Sequence, residues 1–226
     1  MASEGPCGAF VEIPGEFLAE IATDSDRIPK AYFTISSAIG RVFWMRLRFL
    51  HRMAGRFAPR RDRCLDFGAG GGVFLPTLAG SFARVVAVDL ETLEARRVIE
   101  RFGLENVTLV QGDVADVELA NAPFDAIFAA DVLEHFRQLD TPLRRLHEWL
   151  ADDGVLFTSL PTENLLYVAL RLVFGIEKPV DHYHTGHEVE RALARAGFVR
   201  TKRWYVPLRL RIAPLYLISA WRKGAD

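Results

Sequence analysis

The residues best suited to hold a ligand follow one short apolar run of the chain. Residues 63–67 read RCLDF, which is typical of a buried strand, and a turn containing Gly68, Gly70 and Gly72 comes directly after it. Glycine lets the chain turn tightly and lets a ligand approach the backbone without interference from a Cβ atom. Many nucleotide-binding proteins have such a strand-to-helix turn, so the spacing of the glycines must distinguish between them.

The glycine spacing excludes two kinds of nucleotide site. A dinucleotide-binding turn requires G-x-G-x-x-G, and its third glycine would fall on Val73 or, in the next frame, on Leu75. The chain contains no G-x-x-x-x-G-K-[ST], so a phosphate-binding P-loop is excluded as well. What remains is an acid, Asp66, followed by G-x-G-x-G, with a second acid, Asp89, at the end of the next predicted strand.

Histidines near the ends of later predicted strands could add proton transfer to this ligand site. His135 follows the fourth strand, and His182 and His184 precede a later helix. Two residues in alternate positions of an extended segment share one face, so we expect His182 and His184 to point the same way. Histidine, with an unperturbed pKa of about 6.5, is a natural general base. The alternative is an anchoring role, in which His184 bonds near the start of the helix that Thr185 caps.

From residue 63 onward, short apolar runs alternate with amphipathic stretches. Runs of this kind predict strands at 63–67, 84–89, 106–113, 124–131 and 155–161, with two further strand-like runs at 200–208 and 213–223. The intervening helices include one that Asp140 or Thr141 caps and Gly154 closes, and one between Thr185 and Gly197. We therefore predict an α/β fold, a doubly wound, mainly parallel, seven-stranded Rossmann-like sheet.

Two segments lie outside this alternation. Residues 1–62 predict an N-terminal helical extension, or lid, ahead of a ligand-binding domain at 63–226. Residues 162–184 form a strongly apolar insertion after the fifth strand. Ligands of open α/β sheets bind beyond the carboxyl ends of the strands, so this insertion is placed to cover the site. It either packs on the N-terminal helix as a lid or forms an apolar wall for a substrate.

Charge is unevenly distributed along the chain. Eight arginines and one acid lie between Arg41 and Arg63, and residues 39–57 have the apolar spacing of a helix. Arg41, Arg48, Arg52 and Arg56 gather on the side opposite the apolar residues. A basic amphipathic helix of this kind can lie on an anionic membrane or meet a phosphorylated substrate. The alternative is a solvated face whose arginines pair with the acidic N-terminal stretch.

Composition excludes several classes of protein. The formal net charge of −1 argues against a protein that coats nucleic acid. No uncharged apolar run approaches the length of about 18–20 residues that a transmembrane helix needs. The first 26 residues carry six acids and no Lys or Arg, the reverse of a secretory signal. We therefore expect a cytoplasmic protein.

Four elements occur in order, each at the carboxyl end of a predicted strand. They are DFGAGGG at 66–72, Asp89, the pair Gly112-Asp113, and D-V-L-E-H at 131–135. In this order the chain resembles the class I S-adenosylmethionine-dependent methyltransferases over about residues 64–160. The last element is common in the broad branch that includes the ubiquinone-pathway O-methyltransferases.

The resemblance implies S-adenosylmethionine as cofactor. An acid at Asp89 suits the two ribose hydroxyls, and Asp113 lies at the position on the adenine side. Asp66 either orients the glycine turn or contacts the methionyl amine. The implied cofactor-binding residues are Asp66, Gly68, Ala69, Gly70, Gly72, Asp89, Leu90, Asp113, Val114 and Ala130.

Methyl transfer from a sulfonium is an in-line displacement, so orientation of the acceptor supplies much of the catalysis. A hydroxyl acceptor must also lose a proton, and the candidates for this catalysis are His135, His182 and His184, as one base and one substrate-orienting donor. The same histidines with Asp181 could instead hold a metal ion. The acidic-pair-plus-Asn spacing of metal-dependent catechol methyltransferases is absent, so we predict no metal site.

The acceptor is inferred from the segments around the core pattern. The apolar insertion, the basic helix and the basic, aromatic stretch at 200–211 favour a small, largely apolar or amphipathic acceptor methylated at oxygen, with peripheral membrane contact. No N/D-P-P-Y-like element follows the fourth strand, so nucleic acid is not expected as acceptor. The alternative is a methyltransferase-like module that binds the cofactor, or serves as a membrane-peripheral scaffold, without turnover.

Overall fold

The computed structural model describes residues 8–22, 28, 32, 38–164, 182–207 and 214–224. Its helices are α1 (Gly15–Ile21), α2 (Ala38–Phe57), α3 (Leu75–Ala79), α4 (Leu93–Phe102), α5 (Asp140–Trp149) and α6 (Gly186–Arg195), with a 3-10 turn at Leu133–His135. Its strands are β1 (Arg63–Phe67), β2 (Arg84–Asp89), β3 (Val107–Gln111), β4 (Phe124–Ala130), β5 (Leu150–Pro161), β6 (Phe198–Val206) and β7 (Tyr216–Lys223).

The strands of the described residues form one seven-stranded sheet. Its order is β3-β2-β1-β4-β5-β7-β6, and β1 to β5 run parallel while β7 pairs antiparallel with both β5 and β6. The predicted doubly wound, mainly parallel sheet is confirmed. This topology brings the carboxyl ends of β1, β2, β4 and β5 to one edge, because parallel strands end on the same side.

Helices cover both faces of the sheet. Alternate residues of a strand point to opposite faces, and β1 shows this in Cys64 and Leu65, which belong to different core clusters. One cluster contains apolar residues of α2, α3 and α4, and the other contains those of α5 and α6. The central strands are therefore buried on both sides, which explains their continuous apolar runs.

The predicted boundary between α5 and β5 is wrong. The helix ends at Trp149, and β5 begins at Leu150 rather than at residue 155, so Gly154 lies within the strand. Leu150 pairs with Phe124 and Val155 with Ala126, so the extra residues form an irregularity in β5. A Cβ atom at Gly154 would lie 2.9 Å from the Phe124 carbonyl oxygen, which explains the glycine there. Leu139, without a side-chain bond, occupies the N-cap position predicted for Asp140 or Thr141.

Two other predicted helix boundaries are confirmed. Helix α4 ends at Gly103, which has the left-handed φ of 59°. Thr185 caps α6 in a capping box with Glu188, and Gly197 follows the end of that helix with φ 89°.

Helix α2 packs its apolar side on the sheet. Leu47, Leu50 and Met53 are buried in the same core cluster as residues of β4 and β5. Arg48 and Arg52 are exposed on the other side, as the arginine spacing predicts. The division of the chain at residue 62 stays a prediction.

Several predictions fall outside the described residues. They concern 165–181, which is most of the apolar insertion and includes Asp181, and Arg209 and Arg211 of the basic stretch. Within that stretch, Arg200 and Arg203 both pair with the buried Glu190, so part of its charge is balanced inside the protein. Among the helices of the described residues, none has the length and apolar composition needed to span a bilayer.

Candidate functional site

The glycine turn after β1 is fastened to the end of β2. The Gly68 and Ala69 amides donate to the Val88 carbonyl at 2.9 and 3.1 Å, and the Gly70 amide donates to Asp89 Oδ2 at 2.7 Å. Gly68 has φ +73°, and a Cβ atom there would lie 2.3 Å from a methyl carbon of Val132, so only glycine fits. The sequence-predicted turn and Asp89 therefore form one unit.

Asp66 lies beneath this turn. Its side chain is buried, and one carboxylate oxygen, Oδ2, has no hydrogen-bond partner. Burial raises the pKa of Asp66 to about 7, and repulsion from Asp89 adds to the effect. An ammonium group bound beside Asp66 would supply the missing partner, which fits the contact with a methionyl amine that the resemblance implies.

The remaining predicted cofactor residues lie at or just after the ends of β2, β3 and β4. Leu90 is 53% exposed beside Asp89, whereas Val114 is buried and Ala130 is half-buried. The Asp113 carboxylate is exposed and accepts a hydrogen bond from the Ala115 amide at 2.8 Å. The structure thus brings the set to one edge of the sheet, and each residue's role toward a cofactor stays a prediction.

Asp131, at the end of β4, has an unusual backbone conformation. Its φ is +52°, a left-handed value that is uncommon outside glycine and is concentrated at functional sites. Its Oδ1 accepts a hydrogen bond from Ser159 Oγ at 2.9 Å, and its Oδ2 lies 3.0 Å from Arg46 Nε in an ion pair. Asp131 is thereby held from both sides.

Arg46 of α2 is a site residue that the sequence analysis missed. It is only 4% exposed, and its guanidinium lies over the rings of Phe43, Tyr32 and Tyr216 at 5.1, 5.8 and 5.7 Å. It also donates to the Tyr32 hydroxyl at 2.8 Å. Its position in the sequence could have identified it. Arg46 lies four residues from both Val42 and Leu50, which places a charge on the apolar side of the helix.

A cluster of acids and histidines lies next to Asp131. The His135 and His182 rings are perpendicular with centroids 4.6 Å apart, and His182 Nδ1 lies 3.2 Å from Glu163 Oε1. Glu134 is fully buried, and neither of its carboxylate oxygens has a hydrogen-bond partner. Burial and then repulsion from Asp131 raise the pKa of Glu134, and its own backbone amide and the Arg46 charge offset only part of that rise. In the sequence analysis, Glu134 was included in the D-V-L-E-H element but was assigned no role. No pattern in the sequence identified Glu163.

His184 lies apart from this cluster. It lines a cavity of about 770 Å³ between α5 and α6, and its Nε2 atom is buried without a hydrogen-bond partner. The expectation that His182 and His184 share one face is therefore wrong. The chain bends at His184 as it enters α6, so the segment is not extended there.

Comparison with known proteins identifies the type of domain. A family model described as a methyltransferase domain matches residues 41–202, which is most of the chain. An uncharacterised methyltransferase of Mycobacterium bovis is 34% identical over 99 residues, covering 43% of this chain and 50% of that protein. The ubiquinone biosynthesis O-methyltransferase of Azorhizobium caulinodans is 29% identical over 149 residues, covering 60% of this chain and 58% of that protein. The chain thus spans only about half the length of these curated relatives.

A solved structure shares the fold over nearly the whole chain. The N-methyltransferase NodS from Bradyrhizobium japonicum, in complex with S-adenosyl-L-homocysteine, has a TM-score of 0.68 at 18% identity. The likeness covers 93% of this chain and 97% of that one.

Proposed function

This chain belongs to the methyltransferase domain family, of the class I type that uses S-adenosylmethionine, and we propose that it transfers the methyl group of that cofactor to an oxygen atom of a small, largely apolar or amphipathic molecule. The cluster of Glu134, His135 and His182 carries the proposal. It lies at the same edge of the sheet as the glycine turn and Asp89, where a methyl group and an acceptor would meet.

The cofactor half of the proposal rests on the residues around β1 and β2. The Gly70 amide holds the Asp89 carboxylate at 2.7 Å beside the glycine turn, where we expect it to accept from the two ribose hydroxyls. Such charge-assisted hydrogen bonds contribute about 1.5–3 kcal/mol each. Asp66 lies on the same side and supports binding of the methionyl ammonium group.

In the proposed reaction, a lone pair of the acceptor oxygen forms the new bond to the methyl carbon. The carbon–sulfur bond breaks, its electron pair stays on sulfur, and S-adenosylhomocysteine leaves. Orientation of the two reactants along this line is worth up to about 7–11 kcal/mol. The hydroxyl proton must be removed before or during transfer, and we assign its removal to the cluster around His135 and His182.

The choice of oxygen over nitrogen rests on this need for proton removal. The similar proteins include both O- and N-methyltransferases, so the family leaves the acceptor atom open. A neutral amine already presents a lone pair, whereas a hydroxyl gains from a nearby proton acceptor. Two imidazoles next to a buried carboxylate fit the hydroxyl better.

We also propose that the protein touches membranes at the exposed side of α2. Arg48, Arg52 and Arg56 are exposed there, opposite the residues that pack on the sheet. Exposed arginines on an amphipathic helix are attracted to anionic lipid headgroups. Arg48 also forms an exposed ion pair with Glu12 at 2.5 Å, so Arg52 and Arg56 contribute most of the unbalanced charge on this side.

The proposal is tested by methylation of matched acceptors that differ in one atom. We expect a long-chain alkylphenol to gain one methyl group in the presence of S-adenosylmethionine, and the corresponding alkylaniline to gain none or far less, as measured by mass spectrometry. In calorimetric titrations, Asp89→Ala should weaken S-adenosylmethionine binding by at least about 100-fold, because two charge-assisted hydrogen bonds are lost. The same variant should then be inactive at ordinary cofactor concentrations.

Asp116→Ala is the matched control, since it removes an exposed acid from the loop after β3. Its cofactor affinity should equal that of the wild type, and NAD should not bind to either protein. Unchanged affinity in Asp89→Ala contradicts the ribose assignment. Preferential methylation of the aniline contradicts the oxygen assignment, and cofactor binding without any product favours a module without turnover.

A further inference from the structure

The cluster beside β4 and β5 has the side-chain types of a metal site. One potential ligand atom from each of Glu134, His135 and His182 lies within 4.8 Å of the other two. Ligands of one ion are about 3–4.4 Å apart when each bond is about 2.0–2.2 Å long, so small side-chain rotations bring all three to one ion. We infer that these residues bind a divalent metal ion, an inference that rests on the proposed function and names how the cluster acts on the acceptor.

Glu134 gives the strongest argument, because no other residue that the structure describes donates a hydrogen bond to its carboxylate. A fully buried carboxylate with no hydrogen bond to either oxygen is rare, since burial of such a group without compensation is costly. The neighbouring acid Asp131 is held by Arg46 and Ser159, and the Arg46 charge also attracts Glu134. A cation between Glu134 and the two imidazoles supplies the missing partner.

His182 is already oriented as a ligand. Its Nδ1 lies 3.2 Å from Glu163 Oε1, and the two side chains are only 9% and 8% exposed. A metal-binding histidine usually donates its other ring N–H to a carboxylate, which fixes the tautomer and the orientation of the ring. With Nδ1 bonded to Glu163, Nε2 of His182 is the atom available to the ion.

The ligand types indicate which metals bind. Two imidazoles and one carboxylate suit zinc, iron or manganese, whereas magnesium and calcium prefer ligand sets made of oxygen. Three protein ligands leave an open position, which the acceptor oxygen fills. The ion lowers the pKa of the coordinated hydroxyl, whose proton passes to water while its oxygen becomes the nucleophile. The cluster then promotes loss of the hydroxyl proton through the ion that its imidazoles hold, rather than by binding the proton on an imidazole.

This metal site differs from the set of ligands that the sequence suggested. That alternative used His184 and Asp181 together with the other two histidines. In the structure His184 lines the cavity between α5 and α6, and Glu134 completes the set. His184→Ala and His182→Ala, two residues apart, therefore distinguish the two sets.

The test is calorimetric titration of chelator-treated protein with zinc and, separately, with magnesium. We expect one zinc ion per chain and no comparable binding of magnesium. Glu134→Gln and His182→Ala should each weaken zinc binding by at least about 100-fold, and Glu163→Gln by about 10-fold through loss of ring orientation. His184→Ala should bind zinc as the wild type does. Cobalt substitution gives a second readout, an absorption band whose intensity should fall in His182→Ala.

Several outcomes overturn the inference. They are absence of stoichiometric zinc binding, equal zinc affinity in wild type and His182→Ala, and loss of binding in His184→Ala. Titration of the same preparations with S-adenosylmethionine separates this failure from failure of the proposed function. If the protein in chelator binds the cofactor and methylates the phenol at full rate, the proposed function stands and the metal site is refuted.

Discussion

At the scale of single residues, Asp66 links the stability of the protein to pH. Its folded-state pKa of about 7 lies above its unfolded value of about 3.9, so the folded protein binds this proton more tightly. The resulting stabilisation is complete below about pH 4 and is lost as the pH rises through 7. An ammonium group of the cofactor bound beside Asp66 would give the ionised carboxylate a charged hydrogen-bond partner.

We therefore expect Asp66→Asn to become more stable relative to the wild type as the pH rises. The difference in the free energy of unfolding should increase by about 2–3 kcal/mol between pH 5 and pH 8, as measured by urea denaturation without cofactor. Asp116→Asn, a change of an exposed acid, is the control. A difference between Asp66→Asn and wild type that does not vary with pH contradicts the assignment.

At the scale of elements, Arg46 joins α2 to the end of β4. Removing one partner of a buried ion pair leaves an uncompensated charge, and it costs far more than breaking an exposed pair. Arg48 provides the comparison on the same helix, because it and Glu12 are each 45% exposed. The N-terminal helix is thus part of the site's support as well as of the core.

Arg46→Met should lower the free energy of unfolding by about 3–5 kcal/mol, whereas Arg48→Met should lower it by about 0–1 kcal/mol, as measured by urea denaturation. Adding Asp131→Asn to Arg46→Met should recover part of the loss, because it removes the carboxylate left without a partner. Equal effects of Arg46→Met and Arg48→Met, or no recovery in the double variant, would show that the ion pair between Arg46 and Asp131 contributes little to stability.

At the scale of the whole molecule, the two faces of the sheet carry different helices. Helix α2 lies on one face and α5 and α6 on the other. This arrangement offers a matched pair of charge changes for the proposed membrane contact. Arg48, Arg52 and Arg56 are exposed on the α2 face, and Arg144, Arg191 and Arg195 are exposed on the other.

In flotation with vesicles that contain anionic phospholipid, we expect the wild type to float and the glutamine triple variant of Arg48, Arg52 and Arg56 to stay behind. The same change at Arg144, Arg191 and Arg195 removes equal charge and should leave flotation intact. Attraction to headgroups is screened by salt, so the wild type should also detach as the salt concentration rises. Equal behaviour of both triple variants would leave the α2 face as solvated surface.

Local sequence patterns were sufficient for the features that depend on neighbouring residues. The buried strands, the glycine turn, the Thr185 cap and the end of α4 at Gly103 each follow from backbone conformation and burial over a few residues. The α5–β5 boundary was predicted wrongly because the pairing of Leu150 with Phe124 overrides the helical pattern around it.

Only the tertiary structure decided which distant side chains meet. Arg46 with Asp131, and His135 with His182 and Glu163, are contacts between elements far apart in the chain. Their formation depends on sheet order, on the register of β4 and β5, and on the bend at His184, none of which a local pattern contains. The sequence by itself therefore determined the fold class and the family of this protein. The grouping of Glu134 with His135 and His182 depended on packing, because burial is what brings these side chains together.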